Sequence, residues 1–447
     1  MIQSSHQQIA DRKHSRSLPA WLVNVLVGII LFSPLASGVR GISPPLGHAL
    51  MALCDAGILG IFLVTASLDL TQLSAMTILL TAYLLLYPLA VHKFPDYSTA
   101  LLGVRKTVMI FVALAAGSGI ALKHRSRVHL AIIISLFYVC LYAIKQYFSF
   151  SAYDMLLLSD QSANYYTNYF GGRFRAISFL SSGFHVGMAS CVLCAYALCY
   201  RRVRLWLRVV LYLTALWACY AAFTRTFLLI FALITLYGLA QRAGSAGKFL
   251  MLGGGIVALL VTSLVDRDFF PGILQETTGD QRFLNRGASY TGFSTYMSHH
   301  WYGLFFGFGP GSAGSALGDI FRAYGATWIE PHNIFTKYVF ELGFPFGLLI
   351  IILGVIIFAR AIRNGGEEKP ILVSMTLILA VSGLMITSVE TWPIVIYVGL
   401  ALGMYLNVRP NSIEEHDSST ELVSSRLPIL PVTRAAWSPR ASVTKRG

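Results

Sequence analysis

The sequence is short of charge, and of acidic residues above all. Lys, Arg, Asp and Glu make up only 12% of its 447 residues, with 34 basic against 20 acidic side chains, whereas soluble domains average about 25% charged residues. Hydrophobic residues reach 55%, which excludes a disordered chain and argues against an ordinary soluble enzyme. The six cysteines all lie in apolar stretches, so no disulfide framework is expected. This composition indicates a polytopic membrane protein, in which the formal net charge of +14 does not point to a nucleic-acid partner.

Apolar stretches long enough to cross a bilayer as helices recur along the chain and predict an all-α protein with about twelve spans. The apolar run 205–240 is divided at Arg225, because an arginine in mid-bilayer is costly. We expect the first span to be a retained anchor rather than a cleaved signal peptide, since a second span follows at once. The predicted spans are 20–39, 46–67, 73–91, 102–122, 128–149, 176–199, 206–223, 226–240, 249–265, 334–359, 371–388 and 394–408.

The charges between these spans predict the orientation of the chain. Lys and Arg concentrate in the connections on the side of the N-terminus, and such connections stay in the cytoplasm. Both termini are therefore predicted to be cytoplasmic. The chain then divides into a cytoplasmic tail 1–19, spans one to nine in 20–265, a long outer loop 266–333, spans ten to twelve in 334–408, and a disordered cytoplasmic tail 409–447.

The long outer loop 266–333 is rich in glycine and aromatic residues. Connections of this length are usually functional or disordered, and the aromatic content argues for ordered structure, some of it resting on the membrane surface. We therefore expect the active surface here. The stretch Gly307–Gly314 superficially resembles a phosphate loop but lacks its Lys-Ser/Thr ending. A glycine-rich turn that lets the backbone approach a ligand remains open.

Arginines on the outer face break the expected depletion of positive charge on that side. The guanidinium group is planar and suited to bidentate phosphate binding, so such a cluster suggests a lipid phosphate or pyrophosphate ligand. Snorkelling of single arginines to lipid headgroups is the alternative. Arg282 and Arg286 are alternative candidates for the loop arginine of the site. The candidates are Arg173, Arg175, Arg225, Arg282 and Arg286.

His332 is the candidate general base. It follows Pro331 at the end of the long loop and stands just before the tenth span, where a histidine could remove a hydroxyl proton near neutral pH. Glu330 could orient it or replace it as the base, and Glu341 is a weaker candidate. An interfacial or helix-capping histidine is the alternative interpretation.

Charged residues within or beside other spans allow a different class of function. Asp55 and Lys145 could pair with arginines or mark a polar pathway, as in transporters. No half-to-half similarity of the kind common in transporters is visible. No cluster with metal-ligand spacing is present either, so no metal or other cofactor is predicted.

Several short motifs follow one another between residues 170 and 350. They are Arg175-Ala-Ile-Ser-Phe, Thr224-Arg225-Thr226, Arg286 with Tyr290, Gly307-Phe-Gly-Pro-Gly311, and His332-Asn333 followed by Glu341-Leu-Gly343. In this order, and together with the twelve predicted spans, they resemble the O-antigen ligase/polymerase superfamily of bacterial envelope glycosyltransferases.

The resemblance implies a GT-C-like enzyme of the bacterial inner membrane with a periplasmic active site. Its substrate would be an undecaprenyl-pyrophosphate-linked glycan. Arg175, Arg225 and Arg286 would hold the pyrophosphate leaving group without a metal ion, and His332 would be the base of an inverting transfer. A polymerase for exopolysaccharide, capsular polysaccharide or O-antigen is preferred. An O-antigen ligase acting on lipid A-core, or a flippase for lipid-linked sugars, is the alternative. A separate flippase, a chain-length regulator and membrane lipids are the partners expected from this likeness.

Overall fold

The computed structural model is mostly helical. Its described residues are 17–90, 97–159, 169–170, 173–180, 182–222, 224–241, 294–295, 297–313, 333–385 and 391–407. The helices are α1 Ala20–Val39, α2 Pro44–Leu68, α3 Gln72–Ala90, α4 Tyr97–Ser118, α5 Leu122–Phe148, α6 Ala152–Ser159, α7 Gly183–Cys199, α8 Leu205–Ala221, α9 Arg225–Ala240, α10 Tyr302–Phe306, α11 Ile334–Leu342, α12 Phe344–Arg363, α13 Lys369–Met385 and α14 Ile394–Gly403, with a 3-10 turn at Gly366–Glu368. In the described part of the chain, β structure is limited to the antiparallel pair β1 Tyr169–Phe170 and β2 Arg173–Phe174.

Within the described ranges, five helices are long and apolar enough to cross a membrane. They are α1, α2, the Ala100–Ser118 part of α4, α5 and α12. Further apolar helices of 10–17 residues are α7, α8, α14 and parts of α3 and α9. The count of twelve spans and the orientation remain predictions. The predicted ninth span and the tail 409–447 lie outside the described residues.

The structure corrects two predicted spans and agrees with one predicted division. The run 205–240 is divided between α8 and α9 at residues 222–224, beside Arg225. The predicted tenth span 334–359 is two helices, because Gly343 has φ +79 and the next helix carries a proline in its first turn. The predicted sixth span begins at Gly183 instead of residue 176.

Glycines allow α4 and α14 to pack closely. A side chain at Gly399 would contact the carbonyl oxygen of Ile110, and one at Gly403 would overlap the backbone of Leu114. From α4, Gly117 approaches the backbone of Leu400 in the same way. The Gly399–Gly403 spacing is the small-xxx-small pattern that lets helix backbones approach in membranes.

Helix α4 makes backbone contacts with other segments at both of its ends. At its C-terminal end, the carbonyl of Ser118 accepts a hydrogen bond from Asn407 (3.4 Å), and that of Gly119 accepts one from the Leu18 N–H (2.9 Å). At its N-terminal end, Gly103 lies against the backbone of Gly311. The candidate site residues that are described lie near this second end or near the ends of α5, α8 and α9.

Candidate functional site

Arg175 lies in a loop, not at the start of a helix. The sequence predicted that it leads directly into a span, but residues 175–182 precede α7. The N–H of Ala176 donates to the carbonyl of Ala221 at the end of α8 (3.0 Å). The Arg175 side chain is buried, with its guanidinium carbon 5.9 Å from the ring centre of Phe184. The loop therefore places a buried cation beside the end of α8.

Gln146 of α5 holds this loop in place. Its side-chain oxygen accepts hydrogen bonds from the N–H groups of Ile177 (3.0 Å) and Ser178 (2.7 Å). Ser178 has φ +54, a left-handed conformation that is unusual for serine, and its hydroxyl donates to the carbonyl of Val139 (2.7 Å). The bend that ends the Arg175 loop is therefore fixed by contacts to α5.

Asp154 in turn fixes Gln146. Its buried carboxylate accepts hydrogen bonds from the Gln146 amide (2.8 Å), the Tyr142 hydroxyl (2.9 Å) and Lys145 (2.7 Å). The backbone N–H and the hydroxyl of Ser151 also donate to it, both at 2.6 Å. Burial alone would raise the pKa of Asp154, but the hydrogen bonds from Lys145, Ser151 and Gln146 lower it to about 2. Lys145, predicted to pair with an arginine or to line a pathway, is instead bound to this carboxylate.

The Arg175 loop packs against the connection that leads to Arg225. A side-chain carbon added at Gly183 would lie 3.0 Å from the carbonyl oxygen of Ala222 and 3.3 Å from the Cβ of Arg175. Ala222 ends α8, and Arg225 is the first residue of α9. The backbone thus brings two of the predicted arginine positions to one place. The side chains of Arg225 and Arg173 lie outside the described residues.

Thr224 stands at the N-terminus of α9 with an unsatisfied hydroxyl. It is the N-cap residue, but its side chain makes no capping hydrogen bond. Its oxygen is buried and has no hydrogen-bond partner in the described part of the chain. A side-chain carbon at Gly187 would lie 2.7 Å from this oxygen. A helix N-terminus favours anions through its free N–H groups and its dipole, and at this corner such an N-terminus lies near the buried Arg175.

The glycine-rich turn at 307–311 approaches other backbone segments closely. Gly307, Gly309 and Gly311 have φ of +71, +97 and +79, values that glycine adopts without strain. The N–H groups of Phe308 and Gly309 donate to the carbonyls of Phe340 (2.8 Å) and Glu341 (2.9 Å). A side chain at Gly103 of α4 would overlap Gly311. Close packing within the protein therefore explains why glycines stand in this turn. A ligand contact, which the sequence analysis left open, is not needed to explain them.

Glu341 clamps this turn to α11 and α4. Its carboxylate accepts hydrogen bonds from the Gly311 N–H (3.1 Å) and the Thr107 hydroxyl (3.2 Å), and it forms an ion pair with Lys337 (2.7 Å). Both charged side chains are fully buried. A base must reach the hydroxyl that it deprotonates. The placement of Glu341 in this buried network therefore argues against its weaker candidacy as the base.

Helix α11 begins two residues after the predicted base His332. Asn333 is its N-cap, and its side-chain oxygen accepts a hydrogen bond from the Thr336 N–H (2.7 Å). His332 and Glu330 lie outside the described residues, as do Arg282 and Arg286, so their predicted roles stay predictions. The cap residue directly follows position 332, and the helix itself starts at Ile334.

The sequence analysis did not single out Arg105, which pairs with Asp55. The guanidinium Nε donates to Asp55, and the indole N–H of Trp392 donates to the other carboxylate oxygen (2.8 Å). Asp55 thus has the arginine partner that was allowed for it. The signal for Arg105 was available, because an arginine inside a predicted span indicates a partner or a function. Lys337 could have been found in the same way.

No metal site is evident in the described ranges, where no three His, Cys, Asp or Glu side chains are placed to hold one. The sequence matches no model of a known protein family, and a search of curated proteins finds no relative.

Proposed function

We propose that the protein is a periplasmic-face glycosyltransferase that joins undecaprenyl-pyrophosphate-linked oligosaccharide repeat units into an exopolysaccharide, capsular polysaccharide or O-antigen. The observation that supports this most is the packing of the Arg175 loop against the connection that leads to Arg225. Two arginine positions about 50 residues apart in sequence meet at a helix N-terminus, an arrangement suited to a diphosphate.

In the proposed reaction, a sugar hydroxyl of one lipid-linked repeat unit attacks the anomeric carbon of another lipid-linked glycan. The new C–O bond forms as the bond to the pyrophosphate oxygen breaks, and the electron pair leaves with the pyrophosphate. His332 takes the hydroxyl proton, with Glu330 as its partner or substitute. Attack opposite to the leaving group inverts the anomeric configuration.

The arginines stabilise the charge that develops on the leaving group. Arg175 and Arg225 would contact the pyrophosphate from the α8–α9 corner, and Arg286 or Arg282 from the long loop. Preorganised positive groups at a developing charge are worth several kcal/mol. A guanidinium cluster supplies here the charge neutralisation that a bound divalent cation supplies elsewhere, so the proposed reaction is metal-independent.

The test of this function is the glycan profile of cells that lack the protein. Single repeat units accumulating on the outer leaflet of the inner membrane, without polymer, are expected for a polymerase. Long polymer stranded on its carrier lipid would instead assign the protein as an O-antigen ligase. Repeat units held on the cytoplasmic leaflet would assign it as a flippase, and the catalytic role of His332 would then be wrong.

Point variants test the site itself. We expect Arg175→Ala, Arg225→Ala and His332→Ala each to lower polymer formation by roughly 10²-fold or more, since each removes a group acting on the transition state. Arg201→Ala, at an exposed position between α7 and α8, is the control and should keep full activity. Protein level and membrane insertion are measured in parallel. Wild-type activity in the Arg225 and His332 variants would contradict the catalytic assignment.

A further inference from the structure

The short helix α10 packs through one glycine. Gly303 is buried, and a side chain there would overlap the ring of Phe308. Phe308 packs on Phe340 of α11, with ring centres 4.6 Å apart. The glycine face of α10 thus lies on the aromatic layer above α11, and its position is fixed by the Gly307–Gly311 turn that follows it directly.

The other faces of α10 carry large apolar side chains that are exposed. Trp301, just before the helix, is 66% exposed, Phe305 is 55% exposed, and Tyr302 and Leu304 are also exposed. Contiguous exposed apolar side chains of this size indicate an interaction site. Trp301 and Phe305 contact each other edge to face, with ring centres 6.4 Å apart, so they form one surface.

This aromatic surface lies at the start of a candidate membrane span. A side chain at Gly343 would overlap the backbone carbonyl of Phe305, and α12 begins at the next residue. Helix α12 is strongly apolar, and only 17% of its most apolar stretch is buried. Its N-terminal residues Phe344 and Phe346 are themselves exposed. The exposed aromatics of α10 therefore continue the exposed apolar surface of α12.

We propose that α10 is an anchor that lies in the membrane surface and inserts Trp301 and Phe305 into the headgroup–acyl boundary at the start of α12. Tryptophan and tyrosine favour this depth in a bilayer because their rings are amphipathic. The stretch 287–318 contains no Lys, Arg, Asp or Glu. Attachment then depends on apolar contact with lipid rather than on attraction to anionic headgroups.

The anchor has a structural consequence for the turn that follows it. The Gly307–Gly311 turn is held by Glu341 and by Gly103 on its inner side. With α10 in the membrane surface, the turn is fixed at a set depth relative to the headgroups. This inference concerns lipid contact alone and does not depend on the proposed glycosyl transfer.

Spin labelling tests the anchor directly, because the six native cysteines are all buried. Trp301→Cys and Phe305→Cys are each labelled with a maleimide nitroxide and placed in phosphatidylcholine nanodiscs. Collision rates with lipid-soluble oxygen and with a water-soluble nickel chelate are measured. Val355→Cys, 63% exposed on α12, is the control inside the bilayer, and Arg201→Cys is the control in water.

We expect the oxygen-to-nickel collision ratio at positions 301 and 305 to be several-fold above that of position 201 and below that of position 355. Replacing half of the lipid with phosphatidylglycerol, or raising the salt, should leave the ratio unchanged. A ratio equal to the water control would overturn the proposal. Low collision with both reagents would also overturn it, since another part of the protein would then cover the surface. Two label positions keep the test valid if one variant does not fold.

Discussion

Two buried carboxylates hold different parts of the candidate site, and they are satisfied in different ways. Glu341 clamps the glycine turn, and Asp154 anchors the Arg175 loop through Gln146. Each carboxylate forms an ion pair with a lysine, with 2.7 Å between the lysine Nζ and a carboxylate oxygen. However, Lys337 is completely buried beside Glu341, whereas the side chain of Lys145 is 39% exposed beside Asp154.

The hydrogen bonds around the two carboxylates differ as well. Asp154 has four donors without charge, from Tyr142, Gln146 and Ser151, at 2.6–2.9 Å. For Glu341, the neutral donors among the described contacts are Gly311 and Thr107, at 3.1 and 3.2 Å. Besides Lys145, Asp154 thus accepts four short hydrogen bonds from neutral groups, whereas the described neutral donors to Glu341 besides Lys337 are two and lie farther away. When both ions of a pair are buried, removing one leaves the other charge in a low-dielectric environment at a large cost. We therefore expect the loss of Lys337 to destabilise the protein far more than the loss of Lys145.

Removing Lys337 should have the largest effect. Lys337→Met removes the lysine that pairs with the buried Glu341 carboxylate, and breaking such a buried pair costs about 3–5 kcal/mol. We expect a large loss of thermal stability in detergent, measured by the temperature at which half of the protein aggregates. Combining Lys337→Met with Glu341→Gln removes both charges and should recover much of the loss. If the double variant is no more stable than Lys337→Met, the charge dependence is wrong.

Gly103→Ala should have the next largest effect on stability. It tests whether the glycine turn held by Glu341 is rigid. The added carbon would overlap the backbone of Gly311 and Pro310, which the Glu341 hydrogen bonds prevent from moving away. Overpacking costs typically 1–3 kcal/mol, and the upper end is expected here. Gly60→Ala in α2, where no atom lies within 4 Å of the new carbon, is the matched control and should be neutral or slightly stabilising. Equal stability of the two variants would show that the turn can shift.

The pH dependence of stability tests the Asp154 side. The pKa of Asp154 is lowered to about 2 from an ordinary 3.8, so its contribution is present above about pH 4 and is lost as the pH falls towards 2. The shift corresponds to about 2 kcal/mol. Thermal stability measured between pH 5 and pH 2.5 should therefore fall more steeply in the wild type than in Asp154→Asn. Parallel curves for the two proteins would contradict the contribution of this carboxylate.

The sequence carried enough information for the helices and for parts of the site. Apolar length and a lone arginine predicted the α8–α9 division, because an unpaired charge cannot remain in a continuous span. Arg175 and Arg225 were grouped on a different ground, as arginines on the face where positive charge should be depleted, and the structure brings their backbone positions together. The prediction of the division succeeds because it depends on local composition and on the cost of burying charge.

The interactions that fix the site could not be predicted in this way. Gln146 is bound to a loop 32 residues later, and Glu341 to Thr107 more than 200 residues earlier; nothing local to either residue indicates its partner. The break at Gly343 did have a local signal in the glycine and the following Pro345, but the apolar pattern continues across it. Tertiary contacts decide these points.

Lys145→Met should have the smallest effect and gives the most direct comparison with Lys337→Met. It removes one lysine from a buried carboxylate, as the Lys337 variant does, but Asp154 keeps its four neutral donors. Because the Lys145 side chain is 39% exposed, solvent screens part of this ion pair, and we expect a loss of about 1 kcal/mol in the same aggregation assay. If Lys145→Met destabilises the protein as much as Lys337→Met does, the neutral donors are not sufficient to stabilise the Asp154 carboxylate. The two carboxylates would then be clamps of the same kind, and the Arg175 loop would depend on charge as strongly as the glycine turn does.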